Sequence, residues 1–229
     1  VRARDFLQNE YNITITPDDS PAKIYSKTIS SSTITSTFTD YIYTNLTKLG
    51  VSAAEQKVFI SNAKLAPSWL PSYVRLTILN IMHNALFTAR RLHLSESCFL
   101  CGADSDDIQH IWGFCPTVNS AHTDFWASLA TPLPFSFSSS IGANVQLTQP
   151  AVGALYMLTD SVWRARCSSR AGMVRDCAGW ANWIVTNTLT RISNSAPGFF
   201  TRHFSNNTVP LRYKITYKAC LGSSKSNDA

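Results

Sequence analysis

Apolar residues recur at intervals of three and four positions along much of this chain, which is the pattern of helices that bury one face. One clear example runs from Val74 through Ile78 and Ile81 to Ala89. Pro71 precedes it, and proline suits the first turn of a helix because the N–H it lacks would have no partner there. We therefore expect a helix that begins just after Pro71.

Two shorter helices are indicated by the residues that would start them. Ser52 and Glu55 have the spacing of a capping box, in which each side chain accepts a hydrogen bond from the backbone amide of the other residue. The helix that they start should end near Lys64. A further helix is predicted after Pro116, where apolar residues again fall on one side.

The second half of the chain contains two long helical patterns, over residues 150–168 and 171–193. Helices this close in sequence usually pack side by side, so we expect a helical hairpin. Residues 131–149 contain Pro132, Pro134 and a run of serines, which is typical of a linker.

The two ends of the chain lack a helical pattern. Residues 28–39 are rich in hydroxyl and β-branched side chains, which favours an extended or loosely ordered segment. From residue 197 onward, aromatic residues alternate with cations, a mixture that can stack on bases while it neutralises phosphates. Residues 214–218 could equally form a short edge strand. The residues of this mixture are Phe199, Phe200, Phe204, Tyr213 and Tyr217, with Arg202, Arg212, Lys214 and Lys218.

The strongest chemical signal is the pattern Cys98-x2-Cys101-x8-His110-x4-Cys115. Three thiols and one imidazole are sufficient for a tetrahedral Zn²⁺ site. Four protein ligands leave no open position for water, so the predicted zinc is structural. The alternative is that these are buried thiols without a metal, since free cysteine packs as a small hydrophobe. Gly102 favours the metal site, because the turn after a Cys-x-x-Cys pair needs a residue that tolerates positive φ.

The residues around this pattern resemble a known family. The runs Cys98–Gly102 and Asp106–Pro116, the helix tail Asn84–Arg91 and the later pair Phe125-Trp126 are similar to the zinc-binding region at the C-terminal end of reverse-transcriptase polyproteins from non-LTR (LINE-type) retrotransposons. The resemblance covers residues 67–130 and extends weakly to residues 161–166.

That resemblance implies a function. The chain would be a nucleic-acid-binding module that positions template RNA or target DNA, next to the polymerase portion of the same polyprotein, inside the cell and in the nucleus. The alternative is a zinc-stabilised scaffold that docks another protein or another part of the polyprotein. On the first hypothesis Phe99 and Trp112 could stack on bases; otherwise they pack against the metal core.

Together these patterns predict a mostly α fold, in which helices flank a small zinc-binding loop and a helical hairpin and a basic tail follow. The expected divisions are a Ser/Thr-rich segment (1–50), a helical zinc-binding domain (51–130), a linker (131–149), a helical hairpin (150–195) and a basic aromatic tail (196–229).

The formal net charge of +6 is concentrated after residue 159. Such asymmetry indicates a polyanionic partner or, alternatively, a solvated basic face without one. The candidate phosphate-binding residues lie beside the zinc pattern and on the first helix of the hairpin. They are Arg75, Arg90, Arg91, Arg164, Arg166 and Arg170.

Catalytic motifs are missing from the sequence. It contains no Gly-rich phosphate loop and no G-x-S-x-G turn. The paired aspartates, Asp18-Asp19 and Asp106-Asp107, do not lie in the Tyr-x-Asp-Asp context of a reverse-transcriptase centre. We therefore predict that this segment is not an enzyme and has no catalytic residue.

The remaining features bear on location. No run of eighteen apolar residues is present, so we predict no membrane partner. Of the six cysteines, three belong to the zinc pattern, and Cys167 and Cys177 lie on predicted helices, where we expect them to pack as small apolar residues. This usage is typical of a reducing compartment. His122 lies beyond Cys115 on a helix and is not expected to be a ligand.

Overall fold

The computed structural model describes residues 14, 16, 32–90, 92, 96–103, 105–129 and 133–200, with the backbone alone for residues 32–39. Within these ranges the secondary structure is helical, without strands, which confirms the prediction of a mostly α fold. The elements are α1 (Ser32–Lys48), α2 (Ala53–Lys64), α3 (Ser72–Met82), a π-helical turn (His110–Phe114), α4 (Pro116–Ala127), α5 (Phe137–Ile141), α6 (Gln149–Arg170) and α7 (Cys177–Ser195).

Helix α6 lies at the centre of the fold. It packs against α7, α3, α5 and α2, and α7 in turn packs against α4. Every residue from Val152 to Val162 is buried, because neighbours cover this helix on all sides. Gly153 permits one close approach, since a Cβ atom there would collide with the ring of Trp69.

The predicted helix starts are largely confirmed. At α2 the Ser52 hydroxyl accepts from the Glu55 amide at 3.4 Å, and the Glu55 carboxylate accepts from the Ser52 amide at 2.9 Å. Helix α4 begins at Pro116, as expected. The second helix of the hairpin begins at Cys177 rather than residue 171, because the Asp176 carboxylate caps it by accepting from the Gly179 amide at 2.6 Å.

The expectation of an extended segment over residues 28–39 is wrong from Ser32 onward, where α1 begins. Residues 28–31 lie outside the described ranges. The continuation of α1 buries Ile42 and Leu46 in the core. Tertiary packing of this apolar face outweighs the modest helix propensity of the threonines and serines before it.

The predicted linker contains a packed helix. Ser139, Ser140 and Ile141 of α5 are buried, and α5 lies against the π-helical turn and α6. Buried Asn62 of α2 fastens the chain that follows, because its side-chain amide donates to the Gly142 carbonyl at 2.8 Å and its carbonyl accepts from the Leu147 amide at 3.0 Å.

The first aromatic residues of the predicted basic tail belong to the core. Phe199 and Phe200 are buried, and the ring of Phe199 lies 5.3 Å from that of Trp69 in an edge-to-face contact. The proposed stacking of these two rings on bases is therefore wrong. The other residues of the predicted mixture, and the candidate strand at 214–218, lie outside the described ranges.

Candidate metal centre

The structure brings the four predicted ligands together. The Sγ atoms of Cys98 and Cys115 lie 4.0 Å apart, and the Sγ atom of Cys101 lies 3.2 Å from Nε2 of His110. All four donor atoms are within 4.8 Å of one another. Cys98 and Cys115 are buried, whereas Cys101 and His110 are partly exposed.

Two of these distances are close to those of a tetrahedral zinc site. Zn–S bonds of about 2.3 Å and Zn–N bonds of about 2.0 Å at tetrahedral angles place two sulfurs about 3.8 Å apart and a sulfur and a nitrogen about 3.6 Å apart. The observed 4.0 Å and 3.2 Å lie within about 0.4 Å of these values. Three thiols and an imidazole are also the donors that zinc prefers. The cluster is therefore compatible with a bound metal.

The first ligand pair lies on a tight turn that the sequence builds with glycine. Gly102 has φ +75°, and a Cβ atom there would meet nothing within 4 Å, so its backbone conformation is what requires glycine. The Gly102 amide donates to the Cys98 carbonyl at 2.8 Å, and the Cys98 amide donates to the Ala103 carbonyl at 2.6 Å. These bonds close the turn, and the positive φ at Gly102 is as predicted.

The second ligand pair depends on the π-helical turn, which the sequence analysis missed. The Cys115 amide donates to the His110 carbonyl at 2.7 Å, a bond between residues five apart. Such a bond brings residues i and i+5 to the same face, whereas an α-helix would rotate them apart. The x4 gap between His110 and Cys115 is the signal from which this turn could have been predicted.

Polar contacts hold the two halves of the cluster in place. Oδ1 of Asp107 accepts from the His110 amide at 2.7 Å, and Oδ2 accepts from the Ser105 hydroxyl at 2.6 Å. The Thr117 hydroxyl on α4 donates to the Leu100 carbonyl at 3.1 Å. The loop that carries Cys98 and Cys101 is thereby tied to the helix that follows Cys115.

The thiols differ in how easily they ionise. A hydrogen bond from Cys115, helped by the backbone amides of Leu100 and Cys101, outweighs burial and lowers the pKa of Cys98 to about 5. The pKa of Cys115 is raised, because its thiol donates the hydrogen bond to Cys98 and is also buried. Burial likewise raises the pKa of Cys101. One thiolate is therefore already favoured, and an incoming cation displaces the protons of the others.

Arg166, a predicted phosphate-binding residue, is buried instead, with 1% of its side chain exposed. Its Nε atom donates to Oδ1 of Asp106 at 3.1 Å, its Nη2 atom donates to Oδ2, and its guanidinium lies 5.1 Å from the ring centre of Phe99. The Asp106 carboxylate also accepts from the Ala89 amide at 2.8 Å. This ion pair joins α6 to the metal-binding loop.

The other predicted arginines lie in separate places. The guanidinium of Arg75 donates to the Leu70 carbonyl at 3.2 Å and to that of Pro67. Arg164 is half exposed and donates to Asp160 at 2.8 Å. Arg90 is 74% exposed and pairs with Asp107 at 3.1 Å. Arg170 is exposed at the end of α6. Arg91 lies outside the described ranges.

The structure also reveals a second buried carboxylate with arginine partners. Asp160 accepts hydrogen bonds from Thr77 of α3, from Arg164 and from Arg191 of α7. It therefore ties three helices together. The i,i+4 spacing of Asp160 and Arg164 could have predicted one of these contacts. Nothing local in the sequence indicates the others.

The aromatic and cysteine predictions had mixed outcomes. Trp112 is buried and stacks on Trp163 with ring centres 6.2 Å apart, so it packs in the core rather than being free to stack on bases. Cys167 and Cys177 are exposed, contrary to expectation, because both lie near the ends of their helices. His122 lies on α4, apart from the four-residue metal cluster, as predicted.

Comparison with models of protein families, with curated proteins and with solved structures found no match. The resemblance to the retrotransposon region therefore stays a prediction based on the residues themselves. Among the described residues, no helix combines the length and apolar character required to cross a membrane.

Proposed function

We propose that this chain is a non-catalytic, zinc-stabilised nucleic-acid-binding module that positions template RNA or target DNA beside a polymerase, in the nucleus. The observation that carries the proposal is the cluster of Cys98, Cys101, His110 and Cys115, whose donor atoms lie within 4.8 Å of one another. Because all four ligands come from the protein, the zinc acts as a structural cross-link.

The zinc would supply folding energy to a part of the chain with little other support. The described residues between 83 and 107 belong to none of the helices, so regular backbone hydrogen bonding contributes little there. A zinc ion bound by Cys98, Cys101, His110 and Cys115 joins this loop to the π-helical turn. Binding energy at such a site is folding energy, because the site does not exist in the unfolded chain.

The basic C-terminal third supports a polyanionic partner. The charge of +6 and the exposed guanidinium groups of Arg170 and Arg175 suit the phosphates of RNA or DNA. Affinity that arises from phosphate contacts falls as salt concentration rises, because binding releases counterions. The proposal therefore predicts salt-sensitive binding with little dependence on base sequence.

The test joins a metal measurement to a binding titration. The purified protein should contain one zinc per chain by elemental analysis. It should bind fluorescent single-stranded RNA, duplex RNA and duplex DNA in an anisotropy assay at low salt, and log Kd should rise linearly with log salt. Absence of binding to all three at low salt would contradict the proposal, and absence of zinc would contradict its structural basis.

One surface favours the second candidate function, a zinc-stabilised protein-interaction scaffold. Tyr73, Leu76 and Leu79 are exposed on one side of α3, and Tyr41 of α1 is exposed nearby, with its ring stacked on that of His83 at 5.5 Å. Exposed apolar patches mark interaction sites when they are contiguous. Saturable, salt-insensitive binding of the polymerase portion, abolished by Leu76→Ser and Leu79→Ser, would support this alternative.

A further inference from the structure

The loop between α6 and α7 presents apolar side chains to solvent. All residues from Ala171 to Ala178 are exposed, and the exposed fraction is 45% for Met173 and 92% for Val174. Met173 and Val174 are consecutive in this loop at the end of the hairpin, and both side chains are exposed. We name residues 170–175 the hairpin tip.

The hairpin tip is held rigidly at both ends. Gly172, with φ +95°, follows the end of α6, and its amide donates to the Ser169 carbonyl at 3.0 Å. The Met173 amide donates to the Ser168 carbonyl at 3.1 Å. On the other side, the Asp176 carboxylate caps α7. Because these bonds fix the backbone, little conformational entropy is lost when the tip meets a partner.

Cations flank the apolar pair. Arg170 precedes it and Arg175 follows it, and both are exposed. The guanidinium of Arg175 lies 5.6 Å from the ring centre of Trp180, which holds its stem against α7. The nearby carboxylate of Asp176 is engaged with the Gly179 amide. The tip is therefore apolar at its centre and positive on both sides.

The residues on either side of the tip contact the metal-binding loop. The Ser169 hydroxyl donates to the Phe99 carbonyl at 2.6 Å, and the Cys177 thiol lies 3.7 Å from the Leu100 carbonyl. Phe99 and Leu100 stand between the ligands Cys98 and Cys101. Both helix ends that carry the tip therefore contact the metal-binding loop.

We propose that the hairpin tip is the part of the proposed nucleic-acid interface that enters duplex RNA or DNA, with Met173 and Val174 as a wedge at a base step and Arg170 and Arg175 on the flanking phosphates. This inference rests on the proposed function. Apolar wedges between cations are the device by which proteins partly unstack a duplex. Single strands are instead held by aromatic side chains, which the tip lacks.

The experiment compares duplexes that carry 2-aminopurine, whose fluorescence rises when it is unstacked. The double variant Met173→Ser/Val174→Ser should weaken duplex binding about a hundredfold, the loss expected for two buried apolar side chains, and should abolish the fluorescence rise. Arg170→Ala and Arg175→Ala should each reduce the slope of log Kd against log salt by about 1. Matched controls are Val145→Ser, an exposed valine between α5 and α6, and Lys57→Ala, an exposed lysine on α2.

The outcomes separate this proposal from the proposed function. If the wild-type protein binds no nucleic acid, both fail. If it binds but the tip variants bind and unstack like the wild type, or if no unstacking accompanies binding, the wedge alone is overturned. Binding to vesicles of anionic lipid without binding to duplexes would also overturn it, because a membrane would then be the partner. Zinc content and thermal unfolding of each variant confirm that the fold is intact.

Discussion

At the scale of single residues, the four ligand side chains should be necessary for metal binding. Cys115 is fully buried, so Cys115→Ser removes a ligand without exposing new surface. We expect this variant to lose zinc and to unfold at a lower temperature, because structural zinc contributes on the order of 10 kcal/mol even in small peptides. Elemental analysis and thermal unfolding with and without a chelator measure both effects.

The matched control is Cys167→Ser, because Cys167 is exposed and lies outside the metal cluster. This variant should keep its zinc and its chelator sensitivity. If the wild-type protein unfolds at the same temperature with and without chelator, the cluster does not function as a structural metal site.

His122 should make stability depend on pH. Burial lowers the pKa of His122 to about 4 from an ordinary value near 6.5, and both ring nitrogens lack a hydrogen-bond partner. The unfolded chain therefore binds a proton first as pH falls. Stability is fully present above about pH 6.5 and declines towards pH 4, by an amount on the order of 3 kcal/mol.

The variant His122→Phe tests this dependence. Its neighbours include Phe135, whose ring centre lies 5.4 Å away, so an aromatic ring suits the site. Between pH 7 and pH 5, the free energy of unfolding, measured with denaturant, should fall less for the variant than for the wild-type protein. Because both proteins carry the same metal ligands, acid release of zinc cancels in the comparison. An equal fall in the free energy of unfolding for both proteins would mean that His122 does not cause the pH dependence.

The Arg166–Asp106 pair should be structural. Arg166→Met leaves the carboxylate of Asp106 buried with one backbone donor, and we expect a loss of about 3–5 kcal/mol in the free energy of unfolding. Adding Asp106→Asn removes the stranded charge and should restore part of the loss. Denaturant unfolding of the wild-type protein, both single variants and the double variant measures the coupling. Additive losses would mean that the two side chains do not interact.

The sequence predicted the ligands and Gly102 because zinc chemistry and turn geometry are local. It did not predict the burial of Arg166, because its partner Asp106 lies sixty residues away and no local pattern connects them. In the sequence, Arg166 has the pattern of a solvent-exposed cation on an amphipathic helix. Asp106 has the pattern of an exposed loop residue near the zinc ligands. Long-range charge pairing of this kind depends on the packing of α6 against the metal loop.

At the scale of elements, local signals predicted α2 and α4 well, because a capping box and a proline at the first turn act within a few residues. They failed at α1, where packing of Ile42 and Leu46 outweighs weak propensity. The start of α7 was placed six residues too early, because apolar periodicity continues through Val174 while the cap at Asp176 sets the boundary.

That cap yields a prediction for α7. The Asp176 carboxylate satisfies the Gly179 amide, so Asp176→Ala leaves an amide of the first turn without its partner. We expect a loss of about 1 kcal/mol in the free energy of unfolding, measured with denaturant. Asn182→Ala, at an exposed position within the same helix, is the control and should cause little change or a slight gain. Equal effects at both positions would argue against capping.

At the scale of the whole molecule, one hydrophobic core joins parts that the sequence assigned to separate divisions. Its members extend from Ile42 of α1 to Phe200, and they include Ile141 of the predicted linker. Sequence patterns indicate which face of each helix is apolar. They do not indicate that α7 covers α4 or that α3 covers α6, since such pairings depend on the fit of distant surfaces.

The shared core and the ion pairs predict how metal loss spreads. Arg166, Ser169 and Cys177 contact the metal loop, whereas α2 contacts it less directly, through Gly50 and its neighbours in the α1–α2 turn. Removing zinc should therefore loosen the end of α6 and the hairpin tip before α2. Hydrogen exchange measured by mass spectrometry, with and without chelator, should show faster exchange over residues 98–115 and 166–178 and little change over residues 53–64. Uniform acceleration would instead mean that the whole core unfolds with the metal site, and unchanged exchange at 166–178 would mean that the hairpin tip is held independently of it.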